Sequence, residues 1–327
     1  MAKRIKRNSL TSLEVCAGAG GQALGLEKAG FGHAGLVEVD VHCCATLRLN
    51  RPDWTVHEDD LNQFDATAYE GIDLFAGGLP CPPFSIAGKQ LGENDERNLF
   101  PAALRIIGET KPKAVMIENV RGFLGAVFED YRGHLRNELL KMGYEVHWRL
   151  FNAADFGVPQ LRPRVVIVAL RHDIKDVFEW PVPQTFDAPT VGETLLDLMS
   201  ARGWKGARKW AERANDIAPT LVGGSKKHGG PDLGPTRAKQ AWASLGVNGM
   251  SIAEEAPDRD FVGMPRLTVR MAARIQGFDD SWEFSGRKTA AYRQVGNAFP
   301  PPVAAAVAQK IAEAIERRSL VQVSKAS

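Results

Sequence analysis

The stretch "SLEVCAGAGGQALGLEKAG", Ser12 to Gly30, runs from an apolar segment through glycines at 18, 20 and 21 into a segment with apolar residues at helical spacing. Glycines at a strand-to-helix turn let the backbone approach a ligand closely and aim the first helical amides at it. About twenty residues farther on, "HAGLVEVD" ends in Glu38 and Asp40, acids placed to accept hydrogen bonds from ribose hydroxyls. Strand, glycine turn, helix and acid fit a nicotinamide dinucleotide and S-adenosylmethionine equally well, so on this stretch alone the cofactor stays open.

The same alternation continues outward. Strands are predicted at "SLEVCA", "HAGLVEVD", "WTVHE", "IDLFAGG", "KAVMIENV", "YEVHWRLF" and "RVVIVAL", and helices at "GQALGLEKAG", "CCATLRLN", "NLFPAALRIIGET" and "YRGHLRNELLKMG". This is the pattern of an α/β protein with a doubly wound, mostly parallel sheet, in which ligands sit beyond the carboxyl ends of the strands. The pattern predicts a catalytic and cofactor-binding domain over 1–178. From Glu179 to Met264 proline and glycine are frequent and strands are few, which predicts a smaller, loop-rich domain over 179–264. Over 265–327, "RLTVRMAARIQGF" and "PPPVAAAVAQKIAEAIERR" read as helices without strands of their own, expected to pack back on the first domain.

With 327 residues, 44% of them hydrophobic, the chain can bury a large core. No apolar run approaches the roughly 20 residues that cross a bilayer. The basic start "MAKRIKR" is not followed by an apolar stretch, so a cytoplasmic protein without a membrane partner is expected. Four cysteines, Cys16, Cys43, Cys44 and Cys81, lack CxxC spacing, which argues against a metal site and a disulfide framework and leaves a thiol free for chemistry. The net charge of +2 hides an uneven distribution. Between Ala201 and Ala243, nine Lys or Arg, among them Lys205, Arg208, Lys226, Lys227 and Arg237, stand against three acids, with Trp204, Trp210 and Trp242 interleaved. Basic clustering alone fits a solvated surface as well as a phosphate-binding face.

The predicted strand ends carry the chemistry. "GGLPCPPFS", Gly77 to Ser85, sets Cys81 among Pro80, Pro82 and Pro83 at the end of the fourth strand. A buried cysteine is ordinarily a small hydrophobe, but here three prolines fix the backbone around the thiol and two glycines leave room to approach it, as a held nucleophile requires. The fifth strand ends in Glu118, whose burial would raise its pKa, unless it only caps the next turn. In "QLRPRVVIV", Arg162 and Arg164 are two residues apart, so strand alternation would turn both guanidiniums to one site. Asp60 in "HEDDL" is either an acceptor for an adenine amino group or a turn cap. A thiolate, an acid, two cations and a nucleoside-type cofactor suit methylation at cytosine C5. The ring is too electron-poor to react there until a thiolate adds to C6 and an acid at N3 stabilises the charge that develops. C6 can be reached only if the base is flipped out of the duplex.

With these residues in place, the sequence resembles the DNA cytosine-5 methyltransferases of bacterial restriction-modification systems. "EVCAGAGG", "VEVD", "EDDL", "GGLPCPPFS", "IENV", "QLRPR", "RLTVRMAARIQGF" and "QVGNAFPPPVAAAV" are similar to the family's motifs, in order, over nearly the whole chain. The resemblance implies the S-adenosylmethionine-dependent methyltransferase fold, with Cys81 as nucleophile, Glu118 at N3 and N4, Arg164 on the flipped base and Arg162 supporting the loop. It implies that Cys16, Ala17, Gly18, Gly20, Gly21, Glu38, Val39, Asp60, Pro80 and Asn297 hold S-adenosyl-L-methionine. Residues 179–264 would then be a target-recognition domain, with Ser85, Lys205, Arg208, Lys226, Lys227 and Arg237 on DNA. The partners implied are duplex DNA with a short specific site and a cognate restriction endonuclease acting independently of a monomeric enzyme. The sequence departs from the family at Pro82, where glutamine is common, and at Cys16, where an aromatic is common.

Three alternatives stand beside this reading. A tRNA cytosine-5 methyltransferase would use the same reaction; the lysines and tryptophans of 179–264 favour a reader of duplex base edges instead. A nicotinamide-dependent oxidoreductase leaves Cys81, Glu118 and the arginines without work. A catalytically silent DNA-binding relative would not need an intact thiol and acid.

Overall fold

Seven apolar runs pair into one sheet: β1 (Leu10–Val15), β2 (Phe31–Glu38), β3 (Val56–Glu58), β4 (Leu74–Gly78), β5 (Ala114–Val120), β6 (Tyr144–Asn152) and β8 (Pro163–Arg171). β7 (Gln160–Leu161) and β9 (Ala218–Pro219) form a separate parallel pair. The structure is a computed structural model that describes residues 10–80, 98–183, 187–223 and 230–326, with side chains to residue 318 in the last segment. The large sheet has the order β3-β2-β1-β4-β5-β8-β6. β8 runs antiparallel to both its neighbours and the remaining pairs are parallel. All seven strands are those expected from the sequence. The reversed β8 brings its amino end, Arg164, beside Val120 at the carboxyl edge of β5.

Strand alternation sorts the two faces of the sheet. Leu13, Val15, Phe75, Val115, Ile117 and Ile167 share one cluster with Phe100 and Ile106 of α3 (Phe100–Thr110) and Leu135 and Leu139 of α4 (Glu129–Lys141). Leu74, Ala76, Met116, Val166 and Val168 face the other way, with Leu26 of α1 (Gly21–Lys28). α2 (Val41–Asn50) is started by Asp40, whose side chain accepts from the amides of His42 and Cys43.

The loop-rich part holds α5 (Val191–Ser200), α6 (Ala207–Arg213) and α7 (Thr236–Ser244), followed by α8 (Val269–Ile275), α9 (Lys288–Asn297) and α10 (Pro301–Ala326). α10 begins at a proline, which suits a first helical position. It does fold back on the sheet: Val303, Val307 and Ile311 join Leu26, Met116 and Val168 in one cluster. α8 lies elsewhere. Its Met271, Ala272 and Ile275 pack with Val191 and Leu195 of α5. Trp204, Trp210 and Trp242 are all buried in that cluster rather than displayed among the lysines, and the Nε1 groups of Trp204 and Trp210 donate to the carbonyls of Phe261 and Gly246. Among the described residues of this segment the only strand is β9, so without a sheet to cover, its large aromatics supply the core themselves.

Gly25 in α1 marks where α10 crosses. A Cβ there would stand 2.4 Å from Ala304 Cβ, 2.7 Å from the Ala305 amide nitrogen and 2.8 Å from the Pro301 carbonyl. Gly108 in α3 has nothing within 4 Å of the same position. The same substitution should therefore have opposite signs. Gly25→Ala is expected to destabilise by about 1–3 kcal/mol through overpacking, and Gly108→Ala to stabilise by about 0.5–1 kcal/mol through helix propensity. Equilibrium unfolding in urea checks both, and equal effects would contradict this α1–α10 contact.

Candidate active site

The ends of β1, β2, β4 and β5, the start of α1 and the end of α9 open on one cavity of about 400 Å³. Its lining includes Cys16, Ala17, Gly18, Gly21, Glu38, Glu118 and Asn297, all singled out from the sequence. Gly20, Val39, Asp60 and Pro80 do not line it.

The glycine turn is built from left-handed backbone: φ is +50° at Cys16, +54° at Gly18 and +86° at Gly20. Cys16 is the non-glycine exception, and such strain collects at functional sites. The turn is held from outside. Trp282 Nε1 donates to the Ala19 carbonyl at 3.0 Å, and a Cβ on Gly20 would strike that ring at 2.9 Å. Trp282 is buried 263 residues along the chain, and no local signal in "DDSWEF" predicts this role.

Glu38 is largely occupied. Its Oε2 accepts from the Gly18 amide at 2.7 Å and its Oε1 from the amides of Val39 and Asp40, both at 2.8 Å. Of the roughly four lone-pair sites of a carboxylate, one on Oε2 remains for a ligand hydroxyl. Asp60 is exposed and its Oδ1 accepts from the Asn62 amide, so the turn-cap alternative describes its local bonding. Burial, then the charges of Glu38, Glu14 and Asp60, push the Cys16 thiol far up, so Cys16 is a protonated thiol and not a nucleophile.

Glu118 pairs in register with Gly78, which makes β5 the neighbour of the strand that leads to "PCPPFS". Asn119 Nδ2 donates to the Leu79 carbonyl at 3.1 Å and anchors the start of that loop. Cys81 and Ser85, like Lys226 and Lys227, lie outside the described residues. Arg164 Nε is 2.6 Å from Glu118 Oε1, with both side chains only 11% exposed. Burial raises the Glu118 pKa above the usual carboxylate range, and the guanidiniums of Arg164 and Arg162 pull it part of the way back.

Arg162 and Arg164 take different partners. Arg162 is buried, and its guanidinium donates to the carbonyls of Leu221 at 2.7 Å, Gly296 at 2.7 Å and Ala298 at 3.0 Å. The alternation that would have turned both side chains one way fails because Arg162 lies in the link between β7 and β8, strands of different sheets. Lys205 is exposed and paired with Asp260 at 2.6 Å, while Arg208 and Arg237 are exposed on α6 and α7.

Two cavity residues had no signal in the sequence. Glu14 and Gln22 are 1% and 4% exposed, and Glu14 Oε2 and both amide atoms of Gln22 have no hydrogen-bond partner. Glu14, Glu38, Asp40 and Glu118 against Arg293 make the lining predominantly anionic. It suits a cationic ligand.

Fold and site together place one cavity, lined by the glycine turn, Glu38 and Glu118, at the carboxyl edge of the sheet. Residues 10–313 match the model of the family described as C-5 cytosine-specific DNA methylase, and the chain belongs to that family. It is 57% identical over 314 residues to the type II methyltransferase M.NaeI of Lentzea aerocolonigenes, covering 94% of this chain and 76% of that relative. It is 54% identical over 312 residues to M.NgoMIV of Neisseria gonorrhoeae, covering 94% and 99%. A solved structure of a DNA modification methyltransferase encoded in an Escherichia coli prophage shares the fold, with TM-score 0.68 and 23% identity over 94% of this chain and 100% of that one. The protein is a DNA cytosine-5 methyltransferase of the restriction-modification type. The main reading of the sequence therefore holds over the tRNA and nicotinamide alternatives.

The raised Glu118 pKa has a sign that can be measured. The folded protein holds this proton more tightly than the unfolded chain, whose Glu titrates near about 4.3, so the associated stability is present below that pH and is lost as pH rises through the folded pKa. Compared with wild type, Glu118→Gln should gain relative stability as pH rises from about 4 to 7. Arg164→Met should push the Glu118 titration further up in carbon-13 carboxyl spectra; a downward move would contradict the roles assigned to burial and Arg164.

Proposed function

We propose that the enzyme methylates C5 of one cytosine within a short duplex DNA site, using S-adenosyl-L-methionine, with Cys81 as nucleophile and Glu118 as the acid at N3. The observation that carries the proposal is that Glu118, paired with Arg164, lines the same cavity as the glycine turn and Glu38. The acidic lining supports a sulfonium cofactor over a dinucleotide, whose pyrophosphate would meet the carboxylates of Glu38 and Asp40. Gly18, Gly21, Glu38 and Asn297 would hold that cofactor from the walls of the cavity, with Ala17 beside them. Pro80, Val39 and Asp60, outside the lining, would touch it only at its rim.

The chemistry follows from the groups at the edge. The Cys81 thiolate adds to C6 of a flipped cytosine, forming a carbon–sulfur bond and moving the electron pair of the 5,6 bond toward C5. Glu118, whose pKa burial raises, donates to N3 from its protonated form and stabilises the charge that arrives there. Arg164 keeps Glu118 oriented and contacts the base. The cofactor, when bound, supplies an electrophilic methyl group to C5. Loss of the C5 proton to a base and expulsion of the Cys81 thiolate restore the aromatic ring.

Residues 179–264 are the proposed recognition domain, with Arg208, Arg237, Lys226, Lys227 and Lys205 as its DNA-facing cations and Ser85 a contact near the base. Residues 1–178 would form the catalytic domain and 265–327 the element that closes it. The enzyme would act as a monomer in the cytoplasm, and a cognate endonuclease would act on the same site separately.

Two outcomes are expected. Cys81→Ser abolishes methyl transfer to duplex DNA while S-adenosylmethionine affinity, read by calorimetry, stays near wild type. Duplex DNA with 5-fluorocytosine at the target becomes covalently attached, seen as a denaturation-resistant complex, because the C5 proton that must leave is missing. Methylation of tRNA but not DNA would overturn the substrate, and normal turnover without trapping would overturn the C6 adduct.

A further inference from the structure

The strand that leads to Arg164 meets the loop-rich part at one short parallel pair, in which Gln160 of β7 faces Ala218 of β9 and Leu161 faces Pro219. Leu221, just beyond, is held at both its backbone polar groups. Its amide donates to Gln160 Oε1 at 2.8 Å, and its carbonyl accepts from Arg162 at 2.7 Å. Gln160 has no task in the mechanism, yet its side chain is fully buried and both its polar atoms are bonded. We propose that Gln160 is a positioning residue that transmits the seating of residues 218–221 on DNA to Arg164, and so favours methylation of the correctly read site. The inference rests on the reading of residues 179–264 as the recognition domain and of Arg164 as a contact to the base.

Two side-chain amides make the connection. Gln160 Nε2 donates to Gln276 Oε1 at 2.6 Å, and Gln276 Nε2 donates to the Ala298 carbonyl. A backbone N–H can only donate and a carbonyl can only accept, so the row from Leu221 to Ala298 runs in one direction. Turning over either amide would set like atoms against each other. Gln276 is as fully buried as Gln160, where water cannot replace a lost partner. Ala298 lines the cavity beside Asn297, so the row fixes residue 221 relative to the cavity wall.

Little slack separates Gln160 from Arg164. Between them, Arg162 is buried and bonded to the carbonyls of Leu221, Gly296 and Ala298, and the ring of Pro163 fixes its own φ. Arg164 then enters β8 in register with Val120 and pairs with Glu118. A displacement of residues 218–221 is thus passed to the start of β8, and a misplacement of about 1 Å can cost about a hundredfold in rate. Contacts that complete the reacting geometry only on the right site discriminate in rate as well as in binding.

The full chain and a duplex DNA library of all short sites test this, with methylated cytosines mapped by sequencing. Gln160→Met keeps the length of the side chain and removes both polar atoms. It should slow transfer at the preferred site by about tenfold or more and at sites one base away by less, shrinking the preference about five- to tenfold. Its S-adenosylmethionine affinity, read by calorimetry, should stay within about twofold of wild type. Gln160→Glu keeps the acceptor for the Leu221 amide and should retain the preference to within about threefold. Gln276→Met breaks the same row one amide farther on; its loss of preference should not add to that of Gln160→Met in the double variant, and it replaces Gln160→Met if that variant does not fold. A purely structural role would lower the folded fraction and slow all sites equally, which would overturn the proposal. An unchanged preference, or Gln160→Glu as impaired as Gln160→Met, would overturn it as well. A wild-type enzyme with no preferred duplex site would overturn the recognition reading, and this inference with it.

Discussion

A guanidinium taken out of water must find acceptors, and Arg162, 1% exposed, finds them on two separate parts of the chain. Its donors go to Leu221, within the basic stretch of the loop-rich part, and to Gly296 and Ala298, which flank Asn297. The join is tight. A Cβ on Gly223 would fall 2.5 Å from Asn297 Oδ1, and one on Gly296 would fall 2.4 Å from the Gly223 amide nitrogen. Residues 221–223, the end of α9 and the link that leads to Arg164 thus meet in one close contact.

That frame gives each acid at the carboxyl edge its own environment. Glu38 is surrounded by backbone amides, Glu118 is paired with a guanidinium, and Glu14 is buried beside the charge of Glu38. Carboxyl groups in one cavity thus differ in the partners that surround them and in how firmly each holds a proton. Burial, then the charges of Glu38, Glu14 and Asp60, keeps Cys16, the cysteine of the turn, protonated.

What could be read without coordinates was whatever depends on local order along the chain. Strands announce themselves by apolar runs, their ends by glycine or an acid, and the eight motifs by their succession, so Glu118 and Glu38 were identified as strand-end acids from neighbours alone. Where a side chain's role depends on distant partners, the reading failed or was silent. Arg162 and Arg164 seemed equivalent because alternation was assumed to continue through a point where the chain changes sheets. The tryptophans of the loop-rich part stand among basic residues in the sequence, and nothing local marks the core they form.

The sequence by itself determined the order of the strands and helices, the glycine turn, and which chemical groups stand at which strand ends, because periodicity and turn chemistry are properties of adjacent residues. Only the tertiary structure decided that reversed β8 brings Arg164 to Glu118, that Trp282 holds the carbonyl of Ala19, and that Glu14 and Gln22 meet in one cavity. These are pairings across the fold, set by which elements pack together and by the need to match polar groups once water is excluded.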